Sequence, residues 1–330
     1  SGLYPPTDGG EPVSQQLSLR LADPADFPRA GEAIKVFCQQ HGFDRMRRAS
    51  ILAQLDDMLQ RIRRIQTEPT TLSVTRTEKD LLLDWTTSNV RLPLPEPKIA
   101  SSSRDVGSSS QALPIISLHS RVRASGFRFC DEPALQVLHL ERPHPRETMC
   151  GDMALVARHA GVVRLVVADG LGHGPAAREA AEVAIRWLKA SQAESLEEAV
   201  LAAHEQAAAT RGATLGMAEL DLKTLTVSAT TVGNVRVGIY QTTGRLWAPC
   251  GTDAVLGHGR GSFHGKLDVR VEKQQLTPGA LLLLFSDGLA SQLRLPFQRP
   301  QSLEELATTL FSNFSVASDD ATLLMLSTSR

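Results

Sequence analysis

Four aspartates share one local pattern, and this pattern constrains the chain more than any other feature. Each lies at the start or the end of an apolar run, beside a glycine or a second acid. The motifs are Cys150-Gly-Asp152, Ala168-Asp169-Gly-Leu-Gly-His173-Gly174, Ser286-Asp287-Gly-Leu289 and Ser318-Asp319-Asp320-Ala-Thr322. The end of a strand holds a side chain rigidly at the rim of a sheet, and glycine lets the backbone turn there at once. The motifs therefore predict carboxylates that converge at the ends of strands.

Converging carboxylates repel one another, and no Lys or Arg is adjacent to these aspartates in the sequence. Mg(II) or Mn(II) relieves the repulsion, because both ions prefer oxygen ligands and retain bound water. Two such ions about 3.5–4 Å apart can hold a nucleophilic water and stabilise charge on a phosphoryl oxygen. A single Asp-Gly pair is more often an ordinary turn. Four acidic motifs on apolar strands instead favour a two-metal site that hydrolyses phosphate esters.

The order of these motifs resembles the SpoIIE and RsbX branch of the metal-dependent type 2C (PPM) protein serine/threonine phosphatases. The run CGDMALVARHAGVVRLVVADGLGHGPAAREAA is similar to the RsbX-like bacterial members, and the resemblance covers about residues 133–328. It implies an α-β-β-α sandwich with a binuclear Mn(II) or Mg(II) centre in the cleft between the sheets. It also implies a direct mechanism, in which a metal-bridging hydroxide attacks the phosphorus and no phosphoenzyme forms.

The resemblance further implies roles for single residues. Asp169 bridges the two metals, and the carbonyl of Gly170 completes one coordination sphere. Asp152 acts with Asp169 as a catalytic metal ligand. The remaining protein ligands are Asp287 and Asp319. The family pattern of Asp, any two residues, then Thr favours Asp319 over Asp320, which leaves Asp320 as a supporting residue or a weaker alternative ligand.

Two further residues near the motifs are candidates for the site. His173 lies in the glycine turn after Asp169, where it either relays a proton as a catalytic residue or supports the loop. Arg146 precedes Asp152 by six residues and is a candidate for holding the substrate phosphate, although an ordinary surface arginine is the stronger alternative. Cys150 has no accompanying His-Asn arrangement for nucleophilic catalysis and is predicted to be a buried thiol.

Composition divides the chain. Residues 1–14, rich in Pro, Gly and Ser, are predicted to be a flexible tail, and residues 98–118, with two Ser triplets, a linker. Residues 15–97 are predicted to form a small α/β domain with helices over residues 24–41 and 46–65. Residues 119–330 form the predicted phosphatase domain, in which helices start near Pro175 and at the capping boxes Ser195–Glu198 and Ser302–Glu305. Its predicted strands are residues 134–139, 153–158, 163–168, 214–221, 225–231, 235–241, 268–272, 281–286 and 321–327.

Residues 15–97 also resemble, weakly, the ATP-binding anti-sigma kinase-like domain of the GHKL type that precedes such phosphatases in many bacterial relatives. Both nucleotide signatures are missing. Met58 stands where the long helix would carry a magnesium-binding Asn, and Asp84-Trp-Thr-Thr-Ser-Asn89 replaces an Asp-x-Gly-x-Gly motif. We therefore predict a degenerate domain that does not bind ATP and serves in docking, in regulation or in forming a homodimer.

The charge balance gives no global attraction to nucleic acid or to a membrane surface, because 35 basic residues face 36 acidic ones. Arginines between residues 45 and 64 lack interleaved aromatic residues for base stacking and fit a solvated helix face. Four scattered cysteines are predicted to be reduced thiols. No apolar run is long enough to span a bilayer. We expect a cytoplasmic protein without nucleic-acid or membrane partners.

By family analogy, the substrate is a phosphorylated STAS-domain anti-sigma-factor antagonist in a bacterial partner-switching circuit. One alternative is a pseudophosphatase that acts by protein contact, and the retention of all four acidic motifs argues against it. A second alternative is a two-metal phosphoesterase acting on nucleotides. This alternative lacks a nucleotide-binding loop and base-stacking aromatics, since aromatic residues make up only 5% of the chain.

Overall fold

The chain folds into two antiparallel sheets that pack face to face, with helices on both outer sides. A computed structural model describes residues 15–76, 81–87, 90, 123–129, 135–159, 161–190, 195–243, 246–258, 267–289, 293, 295 and 302–328. The predicted tail (1–14) and the predicted linker (98–118) lie outside the described residues.

The larger sheet has nine strands. They are β1 (Gln15–Leu21), β2 (Thr70–Arg76), β3 (Leu81–Thr87), β4 (Arg123–Phe129), β5 (Leu135–Arg142), β10 (Arg236–Tyr240), β11 (Leu246–Trp247), β13 (Leu281–Phe285) and β14 (Ala321–Thr328). Their order across the sheet is β1-β2-β3-β4-β5-β14-β13-β10-β11. The strands that lead into the Asp287 motif and out of the Asp319 motif, β13 and β14, are therefore neighbours.

The smaller sheet has five strands, in the order β12-β9-β8-β7-β6. They are β6 (Asp152–His159), β7 (Val162–Gly170), β8 (Ala213–Asp221), β9 (Thr226–Val232) and β12 (Glu272–Gln275). The strand predicted over residues 268–272 thus begins only at Glu272, where the backbone pairs with Ala229 of β9. The position of β9 determines where this strand begins. The apolar pattern of residues 267–271 does not show where the partner strand lies.

The described part of the chain has five helices that cover the sheets: α1 (Asp26–Gln40), α2 (Arg45–Ile65), α3 (Pro175–Ala190), α4 (Leu196–Ala207) and α5 (Leu303–Phe314). The side chains of Ser195 and Ser302 accept hydrogen bonds from the amides of Glu198 and Glu305, so both predicted capping boxes start helices. None of the described helices is long and apolar enough to cross a membrane.

Three apolar cores separate the layers. The inner faces of the two sheets share one core, which includes Val156, Leu165, Val237 and Leu324. Helices α3 and α4 bury a second core against the smaller sheet, and helices α1, α2 and α5 bury a third against the larger sheet. The layer order is therefore helix, sheet, sheet, helix, which confirms the expected α-β-β-α sandwich.

The N-terminal strands continue the larger sheet instead of forming a sheet of their own. Strand β4 pairs with β3 on one side and with β5 on the other, so one hydrogen-bonded ladder joins the N-terminal part to the rest. Strand β4 was not predicted from the sequence. Its segment RASGFRF contains Ser and Gly, which have little preference for strands, and its two partners decide its conformation.

Candidate metal centre

Asp152 and Asp169 lie opposite each other where β6 pairs with β7. Residues directly opposite in an antiparallel pair project from the same face of the sheet, with Cβ atoms about 4.5–5.5 Å apart. The register of these two strands therefore places two of the four predicted carboxylates side by side. Asp152 is the first residue of β6, and Asp169 is the last residue but one of β7.

Asp152 is almost completely buried, with 1% of its surface exposed. Its Oδ2 atom accepts a hydrogen bond of 2.6 Å from the hydroxyl of Ser286. The same hydroxyl accepts a hydrogen bond of 3.0 Å from the amide of Thr322. Ser286 thus joins three of the acidic motifs. The Oδ1 atom of Asp152 is buried and has no hydrogen-bond partner among the described residues.

The electrostatics of the cluster oppose full ionisation. Burial raises the pKa of Asp152, and the charge of Asp320 raises it further. Burial also raises the pKa of Asp169 strongly, and the carboxylates of Asp152, Asp287 and Asp319 add to that rise. Because Asp152 and Asp169 are buried beside other carboxylates, protons or cations would offset the negative charge of the cluster.

Asp287 lies at the solvent-exposed side of the cluster. Its Oδ2 atom accepts a hydrogen bond of 2.6 Å from the side-chain amide of Asn234. The Oδ1 atom of Asn234 in turn accepts a hydrogen bond of 2.5 Å from the hydroxyl of Thr214, which pairs with Asp169 across β7 and β8. Asn234 therefore connects the Asp287 loop of one sheet to the strand beside Asp169 in the other.

The adjacent acids Asp319 and Asp320 have different surroundings. Asp320 is 3% exposed, and its Oδ1 atom accepts a hydrogen bond of 2.7 Å from the amide of His144. Asp319 is half-buried; burial raises its pKa, and the carboxylate of Asp287 raises it further. Both acids therefore interact with the carboxylate cluster, and Asp320 also supports the loop that precedes Asp152. The Oδ2 atom of Asp320, like Oδ1 of Asp152, is buried and has no hydrogen-bond partner among the described residues, so Asp319 as the ligand of the pair stays a prediction.

Two glycines after the aspartates allow their loops to approach neighbouring backbone closely. A Cβ atom at Gly170 would lie 1.8 Å from the carbonyl oxygen of Ala177, in the first turn of α3. A Cβ atom at Gly288 would lie 1.7 Å from the carbonyl oxygen of Asp320. Both distances are far below van der Waals contact. A side chain at Gly170 would push its loop away from α3, and one at Gly288 would push its loop away from Asp320.

His173 and Arg146 lie on the same side of the site but outside the carboxylate cluster. His173 is exposed; its Nδ1 atom lies 2.9 Å from Oε1 of Glu147, and its ring stacks on that of His144 with the ring centroids 4.1 Å apart. The side chain of Arg146 is exposed, and its amide donates to Nδ1 of His144 at 3.2 Å. Cys150 is buried, as the sequence predicted, and is a free thiol.

The donor set fits a hard divalent cation. In the part of the chain that the structure describes, no group of three His, Cys, Asp or Glu side chains is already arranged to hold an ion. The candidate donors are nevertheless all oxygen atoms, as Mg(II) and Mn(II) prefer. The buried Oδ1 atom of Asp152, without a hydrogen-bond partner, is an atom that such a cation would satisfy.

Four contributors to the site were missed by sequence reasoning: Ser286, Asn234, Arg142 and Arg178. Ser286 directly precedes Asp287, so a polar residue at the end of the apolar run Leu281–Phe285 was an available signal. Asn234 lies in the turn after β9, and its residue type alone does not indicate a contact with Asp287. The two arginines gave no signal, because the partners of a buried arginine depend on which strands and helices meet around it.

A family model described as "Stage II sporulation protein E (SpoIIE)" matches residues 159–329, which is more than half of the chain and includes all the acidic motifs except that of Asp152. A search among curated proteins by sequence gave no match.

Several solved structures are similar. One, described as "The bacterial stressosome: a modular system that has been adapted to control secondary messenger signaling", is 30% identical, with a TM-score of 0.53 over 58% of this chain and 98% of that chain. RsbX in complex with magnesium is 22% identical, with a TM-score of 0.51 over 59% of this chain and 96% of that chain. A serine/threonine phosphatase from S. agalactiae is 15% identical, with a TM-score of 0.48 over 59% of this chain and 99% of that chain.

The family match covers the strands and loops that carry Asp169, Asp287 and Asp319, and the fold of RsbX is similar over 59% of this chain. The chain therefore belongs to the SpoIIE family, and its fold is similar to that of RsbX.

Proposed function

We propose that this protein is a metal-dependent protein serine/threonine phosphatase centred on Asp152, Asp169, Asp287 and Asp319. The observation that carries the proposal is the pairing of Asp152 with Asp169 across β6 and β7, with the Oδ1 atom of Asp152 buried and lacking a hydrogen-bond partner among the described residues. The described contacts bring no Lys or Arg side chain to these two carboxylates. A divalent cation is therefore the counter-charge that we propose for the pair.

Two divalent cations, Mn(II) or Mg(II), would supply an activated water and neutralise charge on the phosphoryl oxygens. In our proposal Asp169 would help to hold both ions, and the carbonyl of Gly170 would be a further ligand. Ser286 orients Asp152 through its hydroxyl, and Asn234 orients Asp287 through its amide. Asp320 holds the loop before Asp152 in place through the amide of His144.

His173 is the residue that we assign to proton transfer. Its Nδ1 atom is engaged by Glu147, so Nε2 is the ring nitrogen that we expect to serve the leaving seryl or threonyl oxygen. Arg146, exposed on the loop before Asp152, is a weaker candidate for contact with the substrate phosphate.

We propose that the substrate is phosphoserine or phosphothreonine on a STAS-domain anti-sigma-factor antagonist, within a bacterial partner-switching circuit. Two findings support this substrate class. The chain belongs to the SpoIIE family, and the 30% identical solved chain is described in terms of the bacterial stressosome and the control of signalling. The free thiols of Cys38, Cys150 and Cys250 fit a reducing compartment such as the cytoplasm.

For the N-terminal part we propose a degenerate GHKL-type unit that does not bind ATP and serves in docking, in regulation or in a homodimer. The order of one strand, two helices and two strands supports the resemblance. Because β3 and β5 share β4, this part is not separable from the rest, and ATP binding should be measured on the whole chain. Calorimetry that detects ATP binding would contradict this proposal.

The first experiment is hydrolysis of p-nitrophenyl phosphate and of a phosphoserine peptide in Mn(II), Mg(II) or EDTA. Wild type is compared with Asp169→Asn and with the control Asp23→Asn, which changes an exposed aspartate before α1. We expect turnover only with metal, lost in Asp169→Asn and retained in Asp23→Asn. Turnover that persists in EDTA would contradict the metal-dependent mechanism, and faster hydrolysis of nucleotides than of the peptide would contradict the protein substrate.

The second candidate function is a pseudophosphatase that acts by protein contact. It is favoured by one observation, namely that no three described acids or other ligand side chains are already arranged around an ion position. Calorimetry with Mn(II) separates the two functions. Absence of both metal binding and turnover would support the pseudophosphatase, whereas metal binding without turnover would indicate an enzyme that requires an activating partner.

A further inference from the structure

Two arginines are buried behind the acidic motifs. Arg142, the last residue of β5, is 3% exposed, and Arg178, in the first turn of α3, is 7% exposed. Arginine is seldom buried to this extent unless its guanidinium is paired. The partners of these two side chains therefore indicate what each of them stabilises.

Arg178 donates to the backbone at the start of β6. Its Nη1 atom donates to the carbonyl oxygen of Asp152 at 2.5 Å and to that of Cys150 at 3.3 Å. The carboxylate of Glu141, itself 3% exposed, lies 3.7 Å from the same nitrogen. Arg178 thereby fixes the segment that carries Asp152 against α3, the helix that begins directly after the Asp169 motif.

Arg142 donates to the turn between α5 and β14. Its Nη1 atom donates to the hydroxyl of Ser315 at 3.1 Å, and its Nη2 atom donates to the carbonyl oxygens of Val316 at 2.5 Å and of Asp319 at 3.2 Å. The amide of Val316 donates to the carbonyl of Gly288 at 2.7 Å. One guanidinium therefore fixes the Asp319 turn, and through that turn the Asp287-Gly288 loop.

We propose that Arg142 and Arg178 are positioning residues for the metal centre. This inference rests on the proposed function. The contacts described here place each guanidinium on the main-chain carbonyl of a candidate ligand, and the carboxylate oxygens stay available for cations. Metal ligands must be held to within about 0.5 Å of their working geometry. The buried positive charge of Arg142 also interacts favourably with Asp319 and Asp320 without occupying their carboxylate oxygen atoms.

Lysine cannot replace either side chain in this role. The guanidinium is planar and presents several donors in a fixed fork, whereas an ammonium is a single point of charge on a flexible stem. Arg→Lys therefore keeps the positive charge but loses the simultaneous contacts with two or three acceptors. The substitution separates geometric positioning from simple charge compensation.

The test is calorimetry with Mn(II) on the whole chain for wild type, Arg142→Lys and Arg178→Lys. The matched control is Arg164→Lys. Arg164 lies on β7 and also contacts a carboxylate and a main-chain carbonyl, those of Glu219 and Leu188. Groups that orient metal ligands contribute about 10–100-fold to metal affinity. We expect each of the two variants to weaken Mn(II) binding at least tenfold, and the control to stay within twofold of wild type.

A thermal melt without metal accompanies each titration, because it separates a loss of stability from a loss of metal affinity. Loss of packing alone would lower the melting temperature of the control as well. If the Lys variants fail to fold, Ser315→Ala removes one hydrogen-bond partner of Arg142, and Glu141→Gln removes the charge that pairs with Arg178; both leave the guanidinium in place. We expect both to weaken Mn(II) binding by a smaller factor. Unchanged Mn(II) affinity in folded variants would overturn this inference alone, whereas wild type that binds no Mn(II) would overturn the proposed metal centre and this inference together.

Discussion

The hydroxyl of Ser286, which follows β13 in the larger sheet, donates a hydrogen bond of 2.6 Å to Asp152, the first residue of β6 in the smaller sheet. This bond crosses between the two sheets at the carboxylate cluster. It connects residues that are 134 positions apart in the chain, and both of them are buried.

Replacing Ser286 by alanine should weaken the site more than the fold. The change leaves the Oδ2 atom of Asp152 and the amide of Thr322 without this partner, which costs about 1–3 kcal/mol of stability. Because Asp152 loses its orientation, we expect Mn(II) affinity to fall about tenfold. Calorimetry and thermal melts measure the two effects, with Ser18→Ala on the exposed face of β1 as the control. Wild-type metal affinity in Ser286→Ala would show that the hydroxyl is not needed to orient Asp152.

Gly288→Ala should disrupt the acidic loops. The new Cβ atom would lie 1.7 Å from the carbonyl oxygen of Asp320, and relief requires movement of the backbone that carries Asp287 or Asp319. We expect loss of metal-dependent turnover and a lower melting temperature. Gly31→Ala in α1 is the matched control, since its Cβ atom meets nothing within 4 Å and the change should stabilise the helix by about 0.5–1 kcal/mol. Full activity in Gly288→Ala would contradict the close approach of the two loops.

Glu304 connects the N-terminal part to the phosphatase layers. It is 1% exposed in α5; its Oε1 atom accepts a hydrogen bond of 2.6 Å from Gln136, and its Oε2 atom lies 3.7 Å from Arg61 of α2. Glu304→Ala should destabilise the protein by about 2–4 kcal/mol, because Gln136 and Arg61 lose a buried partner.

The neighbouring acid provides the control for this prediction. Glu305 pairs with Arg64 at the surface, where such a pair contributes less than about 1 kcal/mol. Denaturant unfolding followed by tryptophan fluorescence and by far-UV circular dichroism should show a single shifted transition in Glu304→Ala. Two separate transitions would indicate that α2 and α5 do not share one cooperative core.

Asp84 should make stability depend on pH between about 4 and 6. Burial raises its pKa from 3.8 to about 6 in the folded state. Between these values the folded protein holds a proton that the unfolded chain has released, so the free energy of unfolding falls as the pH rises through this window. Below pH 4 this carboxyl group is protonated in both the folded and the unfolded state. Above pH 6 the decrease in the free energy of unfolding is complete.

Asp84→Asn removes this dependence and should raise stability at pH 7 by up to about 3 kcal/mol, since one pKa unit corresponds to about 1.4 kcal/mol. Urea unfolding of wild type and variant at several pH values measures the difference, with Asp23→Asn as the exposed control. Equal stability of wild type and Asp84→Asn at pH 7 would show that the Asp84 carboxylate is well solvated.

Local patterns were sufficient for several parts of the structure. The capping boxes at Ser195 and Ser302 start helices, because an N-cap involves only residues within one turn of each other. The Asp-Gly motifs were recognised because a strand end and a glycine are adjacent in sequence. The predicted strand over residues 163–168 lies within β7 for the same reason, since an apolar run is a local property.

The sequence by itself determined which residue types stand at the strand ends and which faces are apolar, and hence the layers and the candidate acids. Only the tertiary structure decided which of these residues meet. The joining strand β4, the bond from Ser286 to Asp152, and the contact of Arg142 with the carbonyl of Asp319, 177 positions away, all depend on strand order and register. No local pattern specifies the strand order, because the backbone of one strand can pair with any other strand that has a matching apolar face and length. Packing across the whole sheet therefore determines which strands are neighbours.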